Sequence, residues 1–316
     1  MRILQKNDTI PKKGEIVLRV ILFLLLFVSF LFSFDGQKID RYKSSISEYY
    51  YHFLDKSTRF LYKKDHSNYE YIKKHNTLRL YIDNTIDDDG HRKSSLSIRA
   101  NLKLPKISKN LYLMVDKESD TSASAYENKS EVKKQKQTSR VGLKYYFLKS
   151  PHTDIFAKLG GRVRLDGSGF YLQTGIHKYK KYHDINIYGY IHQFFYIKDS
   201  FVEHEFGVDF SKDLSEKFTL ALNNDISIDD NKDTYLTNTL LLNQRYSKKV
   251  QLSYWTTLTT SYKDSSFETQ SVSINFKYRK WLKKWVFVDV IPSVIKNLQG
   301  EKRTDKYLQI NFGFIF

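Results

Sequence analysis

Charged residues at even spacings are the feature of this chain that most suggests chemistry. Arg79, Arg99, Lys103, Arg140, Lys144, Lys158, Arg162 and Arg164 stand among apolar residues that alternate with them. Even spacing along a strand places side chains on one face. Farther along, Glu203, Glu205, Asp209 and Asp225 follow the same rule, and Asp289 joins them. A basic wall and an acidic wall facing one water-filled enclosure would set up a transverse field that sorts charged solutes. Across a small enclosure the same charges would pair and fill it with salt bridges. The residues alone leave both arrangements open.

Catalytic chemistry is harder to read. The nine histidines are His52, His66, His75, His91, His152, His177, His183, His192 and His204. His177 and His192 share the charged face, but neither falls in a readable Ser–His–Asp or Ser–His–Asn pattern. The sequence has no G-x-S-x-G, H-E-x-x-H or P-loop motif. Glu203 and Glu205 resemble an acidic pair, although a solvated wall explains them more simply, and His204 between them belongs to the opposite face. The absence of Cys excludes disulfides and thiolate metal sites. No enzyme activity, metal or cofactor is expected. A formal net charge of +17 raises nucleic acid as a partner. The lysines, however, are scattered through turns and interleaved with acids, so no nucleic-acid partner is expected. Trp281 and Trp285 in "YRKWLKKW" read as an aromatic girdle at a membrane interface.

The elements that carry these charges are strands. From Thr77 onward the apolar period is two. Leu78, Leu80, Ile82 and Ile86 oppose Arg79, Tyr81 and Asp83, and Leu96, Ile98, Ala100, Leu102 and Leu104 oppose Arg99, Asn101 and Lys103. The pattern continues through "SRVGLKYYF", "INIYGYIHQFFYI" and "KVQLSYWTTLTTSY" to "YLQINFGFIF". It predicts fourteen strands, with twelve as the alternative count. Most have about 9–13 residues, the length a tilted strand needs to cross a bilayer. Mean hydropathy is negative, and no stretch after the N-terminal region is apolar enough for a spanning helix. One-sided strands of this kind span lipid as a closed antiparallel barrel, because closure satisfies every backbone hydrogen bond. Even-to-odd links are short, "PKIS" at 105–108, "KSPHTD" at 149–154 and "SKK" at 247–249. The longest link, 117–138, falls on the odd-to-even side, where a barrel carries its external loops.

Two segments precede the strands. Residues 1–34 combine Arg2, Lys6, Lys12, Lys13 and Arg19 with the apolar run "VILFLLLFVSFLFSF", which predicts a secretory signal cleaved near Ser33 or Phe34. Residues 35–76 carry Ile39, Tyr42, Ile46, Tyr49, Tyr50, Phe53 and Leu54 at spacings of three and four. That spacing predicts a short amphipathic helical segment, either a periplasmic helix or a plug. The barrel then occupies 77–316.

A signal, alternating strands and a last strand with Phe312, Phe314 and Phe316 on one face resemble Gram-negative outer-membrane β-barrel proteins. The resemblance implies an all-β, up-and-down transmembrane barrel in the outer membrane. It also implies that Phe312, Phe314 and Phe316 are the signal read by the barrel-assembly machinery. The expected function is a porin-like channel for small charged solutes. A filled structural barrel that docks a periplasmic partner is the alternative, and an outer-membrane hydrolase comes third.

Overall fold

The computed structural model describes residues 44–45, 47–48, 77–104, 108, 110–117, 139–164, 167–197, 201–229, 234–263, 266–300 and 302–316. Ser44, Ser45, Ser47 and Glu48 are helical. The rest of the amphipathic segment, the signal, most of 105–108 and the link 118–138 lie outside the described residues.

The alternating segments form strands because their β-branched and aromatic side chains suit a pleated surface buried on one side. They are β1 (Thr77–Asp87), β2 (Arg92–Lys103), β3 (Leu111–Lys117), β4 (Ser139–Lys149), β5 (Thr153–Arg164), β6 (Gly167–Tyr182) and β7 (Ile185–Tyr196). Then come β8 (Phe201–Asp213), β9 (Phe218–Asp229), β10 (Thr234–Arg245), β11 (Val250–Lys263), β12 (Ser266–Lys283), β13 (Val286–Asn297) and β14 (Thr304–Ile315). Each strand pairs with its neighbours in the chain, and β1 pairs antiparallel with β14, so the sheet is a closed barrel. The count is therefore fourteen, not twelve.

Closure removes the sheet edges, and the seam is fastened at both ends. On one side the Phe316 amide donates to the Leu78 carbonyl at 2.9 Å, and the Leu78 amide donates back at 3.3 Å. On the other, Arg303 Nη2 donates to Asp89 Oδ2 at 2.8 Å, and Arg303 Nε also reaches Asp305. Ile315 breaks the apolar alternation of the last strand because it pairs with Arg79 on the inward face.

The two faces of the wall differ sharply. Large apolar residues cover the outside, with Leu96, Phe170 and Ile274 at 63%, 66% and 68% exposure. Many of the buried residues point inward and are polar, charged or aromatic, among them Lys158, Gln173, His192, Asn223, Ser253, Asn275 and Asp289, whereas Ala100, Leu102, Val286, Val288 and Ile310 are buried on the outer face. Inward glycines let rings from the next strand lie flat on the wall. Phe156 is directly across from Gly175, and Tyr190 from Gly207. A Cβ at either glycine would collide with the facing ring.

The two-residue link between β6 and β7 places His183 at φ 52°, the left-handed region that side chains disfavour. Trp285 occupies the equally short β12–β13 turn, with its ring 6.3 Å from Phe314 and 5.9 Å from Phe316. Trp281 departs from the girdle reading. Alternation from Arg279 puts it on the inward face opposite Phe287, with ring centroids 4.8 Å apart.

Candidate functional site in the barrel lumen

Register decides which charges meet. On β4 and β5, Arg140 lies across from Arg162 and Lys144 from Lys158. Like charges directly opposite destabilise a sheet unless something offsets them. Here aromatic faces do. The Arg140 guanidinium lies 5.3 Å from the Tyr171 ring, 5.1 Å from Phe194 and 5.9 Å from Tyr196. Its Nη2 donates to Tyr196 Oη at 2.9 Å. Arg162 sits 4.0 Å over the Tyr196 ring, and Lys144 Nζ 3.7 Å over Phe156. Arg99 lies 5.4 Å from Tyr81. A cation over a ring face gains about 0.5–2 kcal/mol, most where water is excluded.

Burial revises the picture of a uniformly wet basic wall. Arg140, Lys158 and Arg162 are 4%, 2% and 4% exposed. Lys103 and Lys144 are half-buried, Arg99 also lies on the inward face, and Arg79 is exposed near the seam. Arg164 belongs to β5, and its side chain is outside the described residues. Lys149, which the sequence reading passed over, donates from Nζ to Tyr112 Oη at 3.0 Å.

The acidic residues divide into two groups. Glu203, Glu205, Asp209 and Asp225 are half-buried on adjacent strands β8 and β9. Ser227 Oγ donates to Glu203 Oε1 at 3.1 Å, and the Tyr190 hydroxyl donates to Asp225. Asp289 stands apart. Arg279 grips it through Nε to Oδ1 and Nη2 to Oδ2, both at 2.7 Å, and itself lies 4.0 Å over Phe287. Sequence reading missed Arg279, whose partner lies on the next strand.

Between the basic and acidic sectors runs a ladder on β7. Tyr188, Tyr190, His192, Phe194 and Tyr196 all point inward. Successive ring centroids are 5.7, 4.8, 6.0 and 6.3 Å apart. His192 occupies the centre of a hydrogen-bonded chain. Its Nε2 meets His177 Nε2 at 2.8 Å, and its Nδ1 meets Glu205 Oε2 at 3.3 Å. A single proton fits between the two Nε2 atoms, so one imidazole donates and the other accepts. The available signal was the alternation of aromatics in "IYGYIHQFFY"; which ring would cover which cation depends on register. Strands β10 and β11 add a neutral stretch, where Thr239 and Thr257 hydroxyls are 3.0 Å apart and Ser253 Oγ donates to Asn243 at 2.7 Å. Among the described residues, no group of three or more His, Asp or Glu is arranged to hold a metal ion.

No protein-family model and no curated protein matches the chain. Solved barrels do. A loop-L8 deletion mutant of OmpT, an outer membrane protein of Vibrio cholerae, is 9% identical, with 76% of this chain and 98% of that one covered at a TM-score of 0.48. OprB of Pseudomonas putida is 10% identical, with 78% and 96% covered at 0.48. The CymD monoaromatic hydrocarbon channel is 7% identical, with 76% and 88% covered at 0.46.

Proposed function

We propose that this barrel is exported by its N-terminal signal, lies in a Gram-negative outer membrane and passes small charged solutes, with a preference for anions. The carrying observation is the contrast between the faces. Exposed apolar side chains ring a closed barrel, and charges line its inside. In water such a belt would be an aggregation surface, whereas in lipid it is the stabilising face. Arg99, Lys103 and Lys144 supply the accessible positive field, weakened by Glu203, Glu205, Asp209 and Asp225 on another sector. Phe312, Phe314 and Phe316 are the residues we assign to recognition by the barrel-assembly machinery.

A filled structural barrel is the second reading, favoured by the near-complete burial of Arg140, Lys158 and Arg162. Planar-bilayer recording separates the two. The channel reading expects discrete conductance and an anion-selective reversal potential that moves toward cations in Lys103→Glu with Lys144→Glu. A correctly folded protein that passes no current establishes the filled barrel. Cation selectivity in the wild type keeps the channel and assigns control to Glu203, Glu205, Asp209 and Asp225.

A further inference from the structure

A cavity of about 480 Å³ opens inside the wall near the β4–β5 and β6–β7 turns. Its size falls in the range of roughly 300–1,000 Å³ typical of small-molecule sites. Four of its lining residues form one cross-strand row. Tyr179 is opposite Tyr188, Tyr188 opposite Asp209, and Asp209 opposite Asn223. The two tyrosine rings are 4.8 Å apart and inclined by 33°. Tyr190 extends them at 5.7 Å and 35° from Tyr188. Unlike the buried rings higher on β7, Tyr179 is 39% exposed and Tyr188 half-buried. The row therefore presents an accessible, gently curved aromatic platform that runs straight into a carboxylate and an amide.

We infer that this cavity is a binding site for a neutral, hydroxyl-rich ring, a pyranoside, which stacks on Tyr179 and Tyr188 and hydrogen-bonds to Asp209 and Asn223. Three observations select that class. The rings lie side by side on one wall, so they offer a stacking surface and do not surround a cation as an aromatic cage does. Charge is of both signs, since Asp209 lines the cavity together with Lys180 and Lys181, so a simple anion on the rings would meet a carboxylate and a simple cation would meet two ammonium groups. The polar groups form a mixed set: a carboxylate accepts, an ammonium donates, and the Asn223 and Asn186 amides do both. Sugar hydroxyls also both donate and accept, whereas a simple ion would leave half the set unmatched. Leu241 and Ala221 complete the lining with apolar surface.

The site goes beyond the channel reading and does not depend on conduction. Binding is measured in micelles, current in bilayers, so each fails separately. The full chain, purified in a detergent without a sugar headgroup, is titrated calorimetrically with maltotriose, cellotriose and chitotriose, and with choline and benzoate as ionic controls. At least one trisaccharide should give saturable heat with a millimolar Kd. Tyr188→Ala and Tyr179→Ala should each weaken it by about tenfold, while Tyr188→Phe retains most of the affinity. Tyr182→Ala, an exposed ring next to the turn, should have no effect. The inference is overturned if a barrel shown folded by far-UV circular dichroism binds none of the three sugars. Affinity unchanged in Tyr188→Ala, or choline or benzoate binding that no sugar displaces, overturns it equally.

Discussion

Replacing Arg279 by methionine removes the partner that holds Asp289, and the cost follows from burial. The Asp289 side chain is only 6% exposed, and Arg279 supplies two hydrogen bonds of 2.7 Å to it. Breaking a buried pair by removing one member costs roughly 3–5 kcal/mol, since the remaining charge is stranded in low dielectric. Two features place this pair at the lower end. The Arg279 side chain is 23% exposed, so water reaches part of the pair. Lys277 also stands on the same face, two residues away, and its ammonium acts on Asp289. The expected loss is about 3 kcal/mol. Arg279→Met combined with Asp289→Leu should recover stability to within about 1 kcal/mol of the wild type, because an apolar pair of similar volume removes the stranded charge. Lys212 with Asp184 is the internal control. Its separation is also 2.7 Å, but the side chains are 45% and 61% exposed, and Lys212→Met should cost far less than Arg279→Met. The assay is urea unfolding of protein folded into lipid vesicles, followed by far-UV circular dichroism. If Arg279→Met costs no more than Lys212→Met, or the double variant is as unstable as the single, burial is not what gives this pair its weight.

Other outcomes follow from single positions. Tyr196→Phe keeps the ring over Arg140 and removes only the hydroxyl, so unfolding experiments should show a loss of about 1.5–3 kcal/mol, the value of a hydrogen bond to a charged group. His183→Gly should leave stability within about 1 kcal/mol of the wild type, whereas His183→Val, β-branched at positive φ, should cost about 1–2 kcal/mol in the same assay. The Lys212 ammonium, hydrogen-bonded to Asp184, holds that turn carboxylate below its ordinary range. A carboxylate depressed in this way helps at neutral pH and loses its contribution on acidification, so its titration midpoint by carbon NMR should rise in Lys212→Met. Phe316→Ser should reduce insertion in cells yet leave refolding in detergent intact, because the seam bonds at this position are made by backbone atoms.

Strand positions were legible because a one-sided wall imposes a period of two that survives any choice of ligand. Leu96 and Ile98 face out and Arg99 faces in for that reason alone. Trp281 shows the limit of the argument. Being a tryptophan beside a turn suggested an interface, but its phase relative to Arg279 governs where it points. Pairings were less legible than faces. His177 and His192 are brought together by the short link at His183 and Asp184, and Arg279 meets Asp289 across the β12–β13 turn. Each needs an exact register, which periodicity leaves free by two residues in either direction. Burial was least legible of all. Arg140 and Lys144 have the same type of charge and lie on one face with Gly142 between them, but only Arg140 is enclosed by Tyr171, Phe194 and Tyr196.

The rings laid over Gly175 and Gly207 have a consequence for how this sequence can change. Position 175 admits no side chain while Phe156 occupies the space above it, and position 207 is tied in the same way to Tyr190. Each glycine and its ring are thus a single heritable unit. A variant that enlarges the glycine first passes through a clash with the ring, whereas one that trims the ring first passes through a void and then meets only the side chains of His192 and Asp225, 2.9 and 2.7 Å from the new Cβ. Mutational paths through this wall therefore have a preferred order, ring before glycine.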